Sequence, residues 1–229
     1  MSHMAQHGKL IVIEGTDGSG KATQSKLLLE RMQKEGIDAV LIDFPQYGKY
    51  SAGFVEKLLQ GEYGTIHDVD PYQASLFYAM DRFDASFQIR KWLDEGKVVL
   101  CDRYTSANMM HQSRLPDMEM IKTYLGWLKT IEWGILKIPV PDLVLFLDVP
   151  PKLSMSMTIS RSEQDKNRKM DILEKDERYI ADSYERAKKI AELEQWRVIA
   201  CVENEKIMDK NAIADTIWER VSEYLKIDN

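Results

Sequence analysis

Residues Gly15-Thr16-Asp17-Gly18-Ser19-Gly20-Lys21 constrain this chain more than any other feature. They directly follow the short apolar run Lys9 to Ile13 and open the helically spaced run Lys21 to Glu35, which places them in a strand-to-helix turn. In that setting glycines let the backbone curl around an anion, N–H groups point inward, and the helix N-terminus adds partial positive charge. Gly15, Gly18, Ser19, Gly20, Lys21, Ala22 and Thr23 are therefore the expected cradle for nucleotide phosphates, with Lys21 reaching the β- and γ-phosphates. A glycine-rich turn without a ligand is the competing reading, and the two flanks and the lysine weigh against it. One position departs from the general motif: Ala22 stands where a serine or threonine hydroxyl normally meets magnesium. Thr23, one residue on, more naturally meets the α-phosphate. Mg2+ is then expected to be held by phosphates, water and a nearby carboxylate. Asp102, at the end of the strand-like run Val98 to Cys101, is the natural candidate, a helix cap or structural ion pair being its alternative.

The remaining pattern alternates strands with helices. Ala39 to Ile42, Val98 to Cys101, Leu143 to Leu147 and Arg197 to Val202 are short apolar runs separated by enough chain for helical crossovers. This predicts an α/β, three-layer architecture with a parallel sheet of about five strands flanked by helices. Asp70 to Glu95 reads as one or two helices closed by Gly96, Asp117 to Lys137 as another ended by Pro139, and Asp209 to Leu225 as a final amphipathic helix. No repeat or linker-like tract interrupts the 229 residues, so one domain over residues 9–229 is expected. Residues 1–8 read as a loose start in which Ser2-His3-Met4 resembles a cloning remnant. Arg161, Lys166, Arg168 and Lys169 fall in a polar stretch with few apolar residues, read as an exposed, mobile segment.

Composition narrows the partners. With 44% hydrophobic and 30% charged residues the chain has the profile of an ordinary globular protein. No apolar run approaches the roughly 20 residues that span a bilayer, and no secretory signal is present, so the cytoplasm is the expected location. The net charge of −6 argues against general nucleic-acid binding, which depends on lysine and arginine neutralising phosphates. Cys101 and Cys201 each end an apolar run without a second ligand at metal spacing, and are expected as small core residues.

Five ordered segments resemble the thymidylate kinase family of nucleoside monophosphate kinases: Glu14 to Lys21, Phe44-Pro45, Leu76-Phe77-Tyr78-Ala79-Met80-Asp81-Arg82, Asp102-Arg103-Tyr104, and Asp171-Ile172-Leu173-Glu174. The resemblance runs through most of the chain. It implies transfer of the γ-phosphoryl of ATP, with Mg2+, to dTMP. It implies that Tyr78 stacks on the pyrimidine and Arg82, one turn later on the same helix face, hydrogen-bonds it. Taken without the family, Tyr78 reads as core and Arg82 as a surface ion-pair partner. Arg103 is assigned to the acceptor phosphate, which its planar fork suits. Asn108 is expected at the base edge, meeting the imide N–H or a carbonyl, with Gln112 a further candidate. Asp17 is placed near the acceptor sugar, a loop-stabilising role being its alternative, and Phe44-Pro45 forms a wall beside base and sugar.

The same resemblance implies a lid at about residues 158–172 that closes over ATP, with Arg161 and Arg168 as candidates for the catalytic arginine, because Gly18 stands where some relatives carry one. Glu174 is expected near the metal or the acceptor, with a helix-cap role equally open. A homodimer through helices beside the acceptor site is also implied. Three departures stand out: Gln46 follows Pro45 where many relatives have arginine, Ala107 replaces a serine, and His111 an aromatic residue. His111 is read as a packed helix residue in preference to a base contact. Alternatives kept at this stage are another nucleotide or deoxynucleoside kinase on the same scaffold, and a non-catalytic phosphate-loop module.

Overall fold

The computed structural model describes residues 7–65, 68–164 and 177–227, the side chains of residues 161–164 excepted. Eight α-helices and seven strands are formed by the described residues. The first strand β1 (Lys9–Glu14) leads through the glycine-rich turn into α1 (Lys21–Lys34), and β2 (Ala39–Asp43) follows. Next come α2 (Gly53–Gln60), α3 (Pro71–Asp94), β3 (Val98–Asp102), α4 (Thr105–His111) and α5 (Met118–Lys129), which runs into a π-helical turn at Thr130–Ile135. The chain closes with β4 (Leu143–Asp148), α6 (Pro151–Gln164), α7 (Glu177–Leu193), β5 (Arg197–Ala200), a small hairpin of β6 (Val202–Glu203) and β7 (Lys206–Ile207), and α8 (Lys210–Leu225).

Strands β1 to β5 form one parallel sheet in the order β2-β3-β1-β4-β5. Parallel strands buried on both faces need apolar residues in both alternating sets, and β1 supplies them. Ile11 and Ile13 pack with Leu28 and Met32 of α1 and Ile217, Trp218 and Val221 of α8. Leu10 and Val12 point the other way, against Ala85, Ile89 and Leu93 of α3. Farther along that face, Phe146 packs with Met110 of α4 and with Tyr184, Ala187 and Ala191 of α7. The result is the expected α/β, three-layer architecture, a parallel sheet between two helical layers.

Strand order decides where a ligand can sit. The chain leaves β1 toward β2 on one side and leaves its neighbour β4 toward β5 on the other, so the connections diverge between β1 and β4 and open a crevice at the carboxyl ends of the central strands. The glycine-rich turn follows β1 there, and Arg103 follows β3.

Several local expectations need correction. Asp70 to Glu95 forms a single helix, capped by Asp70 with Gln73 reciprocating and with Pro71 at its first position. The helix expected to reach Lys137 leaves α geometry after Lys129 and widens into the π turn. The strand expected over Arg197 to Val202 stops at Ala200, because Cys201 O accepts from Met208 N at 2.9 Å and starts the hairpin. Cys101 and Cys201 are both fully buried free thiols, as their apolar settings imply. The segment read as exposed, Arg161 to Lys169, starts in the last turn of α6, and its side chains lie outside the described residues. Residues 165–172 of the expected lid lie outside the described residues, as does the start of the chain before His7. No helix among the described residues is long and apolar enough to cross a membrane.

Candidate active site

At the end of β1 the chain turns through Gly15 to Gly20 and enters α1. Ser19 N bonds back to Thr16 O at 3.1 Å, which closes the loop on itself. Gly20 takes the left-handed conformation at φ 92 as α1 begins, and a Cβ there would meet nothing within 4 Å. Gly18 is different: its φ is +79, and a Cβ would lie 2.0 Å from Ser154 O of α6. No side chain fits at Gly18, so an arginine at that point of the loop is sterically excluded. Lys21 is buried and donates from Nζ to Thr16 O at 2.8 Å, folding over the loop it follows. Burial, reinforced by the neighbouring Arg103, lowers its ammonium pKa to about 8. Ser19 Oγ and Thr16 Oγ1 are buried without a hydrogen-bond partner among the described residues. Ala22 and Thr23 lie exposed on the first turn of α1.

A second wall rises from the end of β3. Arg103 holds a left-handed backbone at φ 65, fixed by its N–H to Ile13 O at 3.1 Å. A non-glycine residue in this region stores strain, which at crevices of this kind accompanies function. Its guanidinium forms a short ion pair with Asp17 and donates to His111 Nε2 at 3.1 Å. Asp102, one residue earlier, is partly buried; burial raises its carboxyl pKa while Lys21 and Arg103 oppose the rise. The two walls are tied from below by Glu14, fully buried, whose carboxylate accepts from Tyr104 N at 3.1 Å and Ser106 Oγ at 3.0 Å. Burial raises its pKa too, against the pull of Arg103 and Lys21.

Beyond Arg103 lies a cavity of about 240 Å³ lined by Asp17, Phe44, Pro45, Tyr47, Tyr78, Arg82, Arg103, Asn108, His111 and Gln112, among others. All the residues expected at an acceptor are thus brought together. The Phe44-Pro45 bond is cis, and Gln46 N donates to Asp81 Oδ2 at 2.8 Å, while Ser51 Oγ donates to Asp81 Oδ1 at 2.7 Å. Asp81, buried on α3, therefore pins the loop that carries Phe44 and Pro45. Lys49 donates to Gln46 Oε1 and does not line the cavity.

Arg82 is ion-paired, but inside the protein and not at its surface. Only 1% exposed, it donates from Nε and Nη2 to Glu132 at 2.8 and 2.5 Å and from Nη1 to Tyr104 O at 3.2 Å. Glu132 belongs to the π turn after α5 and also accepts from Asn108 Nδ2 at 3.0 Å. The sequence by itself assigns no role to Glu132, Asp81 or Glu14. Their signal is weak there, since a lone acid in an amphipathic run reads as surface. His111, expected as packing, stands in the cavity wall between Arg103 and Tyr179 of α7, whose hydroxyl lies 3.1 Å from Nδ1.

The donor set fits magnesium only in part from the chain itself. Among the described residues no group of three or more His, Cys, Asp or Glu side chains is placed to hold a metal ion. Asp102 beside the loop is a partly buried carboxylate that gains from a cation. That suits an ion keeping waters and phosphate oxygens and taking one protein carboxylate. Of the other expected site residues, Arg168 and Glu174 lie outside the described residues, and Arg161 is placed only by its backbone in α6.

Comparison with known proteins agrees with this arrangement. A family model described as thymidylate kinase matches residues 13–211. A thymidylate kinase of Pelotomaculum thermopropionicum is 40% identical over 144 residues, 62% of this chain and 62% of that protein. The aligned part is thus less than two thirds of that relative's length. A probable thymidylate kinase of Pyrococcus abyssi is 32% identical over 169 residues, covering 69% of this chain and 75% of the relative. A thymidylate kinase of Mycobacterium tuberculosis is 29% identical over 168 residues, covering 73% and 78%.

Proposed function

The chain belongs to the thymidylate kinase family, and from that premise we propose that it transfers the γ-phosphoryl group of ATP to dTMP, giving dTDP and ADP. One observation carries the reading: Arg103, fixed by Asp17 and His111, stands between the glycine-rich turn with Lys21 and a separate nucleotide-sized cavity. Two anionic ligands placed end to end across that arginine would meet at their phosphates.

The attacking oxygen of a nucleoside monophosphate is already anionic near neutral pH, so catalysis consists of positioning and charge neutralisation. Gly15, Gly18, Ser19 and Gly20 would turn backbone N–H groups toward the ATP phosphates, Ala22 and Thr23 contribute the first turn of α1, and Lys21 moves from Thr16 O to the β- and γ-phosphates. Arg103 would bind the acceptor phosphate through its fork, and Asp17 holds that fork in place near the sugar. Phe44 and Pro45 form one wall, Tyr78 stacks on the base, and Arg82 with Asn108 meets its edge, Gln112 closing the pocket. Mg2+ would neutralise charge on the transferring phosphates, with Asp102 its carboxylate through water. Arg161, Arg168 and Glu174 keep the roles implied by the resemblance, two candidate arginines at the transferring group and an acid near the metal.

A homodimer is part of the proposal. Leu76, Met80 and Phe87 of α3 are exposed at 41, 46 and 61%, and with partly buried Phe83 they make an apolar stripe at helical spacing beside the cavity. Two buried free thiols are in keeping with a reducing, cytoplasmic location. The test is coupled ADP release with dTMP, dUMP, dCMP and dGMP, with and without magnesium. Magnesium-dependent turnover with dTMP in excess of the others is expected; ATP binding with no acceptor-dependent ADP overturns the assignment.

A further inference from the structure

Asn108 is 1% exposed and sits where its amide cannot turn freely. Its Nδ2 donates to Glu132 Oε1 at 3.0 Å and to Ser75 O at 3.1 Å. A carboxylate and a backbone carbonyl only accept, so the NH2 end of the amide must face both of them. The opposite end, Oδ1, is left for the cavity that Asn108 lines, with no hydrogen bond to it among the described residues. The same Glu132 carboxylate takes Nε and Nη2 of Arg82, and Tyr104 O takes one Nη1 proton, which locks the guanidinium plane with its remaining N–H groups at the cavity wall.

We propose that Glu132 is a positioning residue for base specificity: by fixing the amide of Asn108 and the fork of Arg82, it makes the cavity present an acceptor beside a donor. That pattern complements the imide edge of thymine or uracil, which offers an N3–H donor next to an O4 acceptor. Cytosine offers the reverse at both positions, an N3 acceptor and an amino donor, and meets Asn108 Oδ1 acceptor to acceptor and Arg82 donor to donor. Glu132 itself is fully buried beneath the two side chains and acts on the base only through them. Its place in the π turn serves this function, since the widened turn carries a carboxylate inward beneath α3 and α4.

The inference rests on the proposed acceptor site, and its test separates the two. Steady-state kcat/KM would be measured for dTMP, dUMP and dCMP in the wild-type protein, Glu132→Gln, Glu132→Asp and Asn108→Ala. In Glu132→Gln the partner of Asn108 gains a donor, so the amide is free to turn its NH2 toward the cavity. The dTMP-to-dCMP ratio is expected to fall by about tenfold or more, while the dTMP-to-dUMP ratio holds, because both imides read alike. Glu132→Asp, which keeps an acceptor-only group, is expected to retain most of the discrimination. Asn108→Ala removes the acceptor with Glu132 intact and is expected to collapse the same ratio, and it stands as the test should Glu132→Gln not fold. A ratio unchanged from wild type in either folded variant, or a uniform loss for all three acceptors, overturns the role of Glu132 and leaves the kinase assignment standing. A wild-type protein that phosphorylates none of the three removes the assignment itself.

Discussion

His111 Nε2 accepts a hydrogen bond from Arg103 Nη1 at 3.1 Å, while Nδ1 of the same ring faces the hydroxyl of Tyr179 at 3.1 Å. A guanidinium only donates, so Nε2 must carry the lone pair and Nδ1 the proton. Burial, with Arg103 close by, lowers the imidazole pKa to about 3, which keeps the ring neutral at physiological pH. Asp17 and His111 therefore hold one arginine from two directions, one by charge and one by a neutral lone pair.

Replacing His111 with Phe keeps an aromatic ring against Tyr179 but removes the acceptor. KM for dTMP is expected to rise roughly three- to tenfold, in line with one lost hydrogen bond of about 1 kcal/mol. KM for ATP is expected to stay near wild type, and initial-rate kinetics with each substrate varied in turn checks both. A pH dependence goes with it. Folded His111 has a pKa of about 3 against an ordinary value of 6.5. Between those values the unfolded chain binds the extra proton, so stability is lost as pH falls through that window. Urea unfolding at a series of acidic pH values should show a shallower loss in the Phe variant than in wild type.

Lys21 gives a prediction of opposite reach in pH. Its pKa is lowered to about 8 from 10.5, burial being the larger cause and Arg103 the next. Between those values the unfolded state binds more protons than the ligand-free folded state, so the contribution of this lysine to stability rises with pH across the window. Phosphates arriving in the loop favour the charged form, and ATP binding above about pH 8 is expected to take up a proton. Calorimetry in two buffers of different ionisation enthalpy would show this as a buffer-dependent heat, absent in Lys21→Ala. The same variant is expected to lose turnover by about a hundredfold or more while remaining folded.

Arg103→Lys tests whether the fork matters or only the charge. A lysine supplies one compact cation and cannot meet Asp17, His111 and a phosphate together. A fall in kcat/KM for dTMP of about a hundredfold is expected, with little change in melting temperature. Asp17→Asn, which keeps size and removes charge, is expected to give a smaller fall in the same constant. Equal losses for ATP and dTMP would assign Arg103 to general docking.

Gly18→Ala places a Cβ 2.0 Å from Ser154 O at a residue whose φ is +79. Either α6 or the loop must move. Melting temperature is expected to drop by several degrees, as for a loss of about 1–3 kcal/mol, and KM for ATP to rise. Thermal denaturation and ATP titration check the two effects.

Much of the architecture was legible because strand and helix periods are local properties of sequence. The five parallel strands, the glycine-rich turn and α1, α3 and α8 follow from runs such as Lys9 to Ile13, from helical spacing such as that of Asp209 to Leu225, and from stops such as Gly96. Helix α2 was not legible: eight residues beginning at Gly53 give two turns and no lasting period. The exit from α5 at Thr130 and the break at Cys201 depend on contacts made elsewhere in the fold, which no local pattern encodes. The site divides in the same way. Lys21 is announced by its glycine-rich motif, and Arg103 and Arg82 by the family resemblance. Glu132, Asp81 and Glu14 act by holding those residues from behind, and a carboxylate acquires that meaning only when burial places it beside a donor. His111 reads as packing in the sequence because a single ring on a helix carries no sign of which neighbour its nitrogens will meet.

Transfer from ATP to the acceptor phosphate is tested most directly by following the phosphoryl group itself. ATP carrying 18O in its γ-phosphoryl group would be incubated with the protein, dTMP and magnesium, and the products resolved by mass spectrometry. The label is expected in the terminal phosphate of dTDP, in step with ADP formed. Label found only in inorganic phosphate, at a rate indifferent to dTMP, would contradict the end-to-end arrangement across Arg103 and make the protein a hydrolase or a binding module.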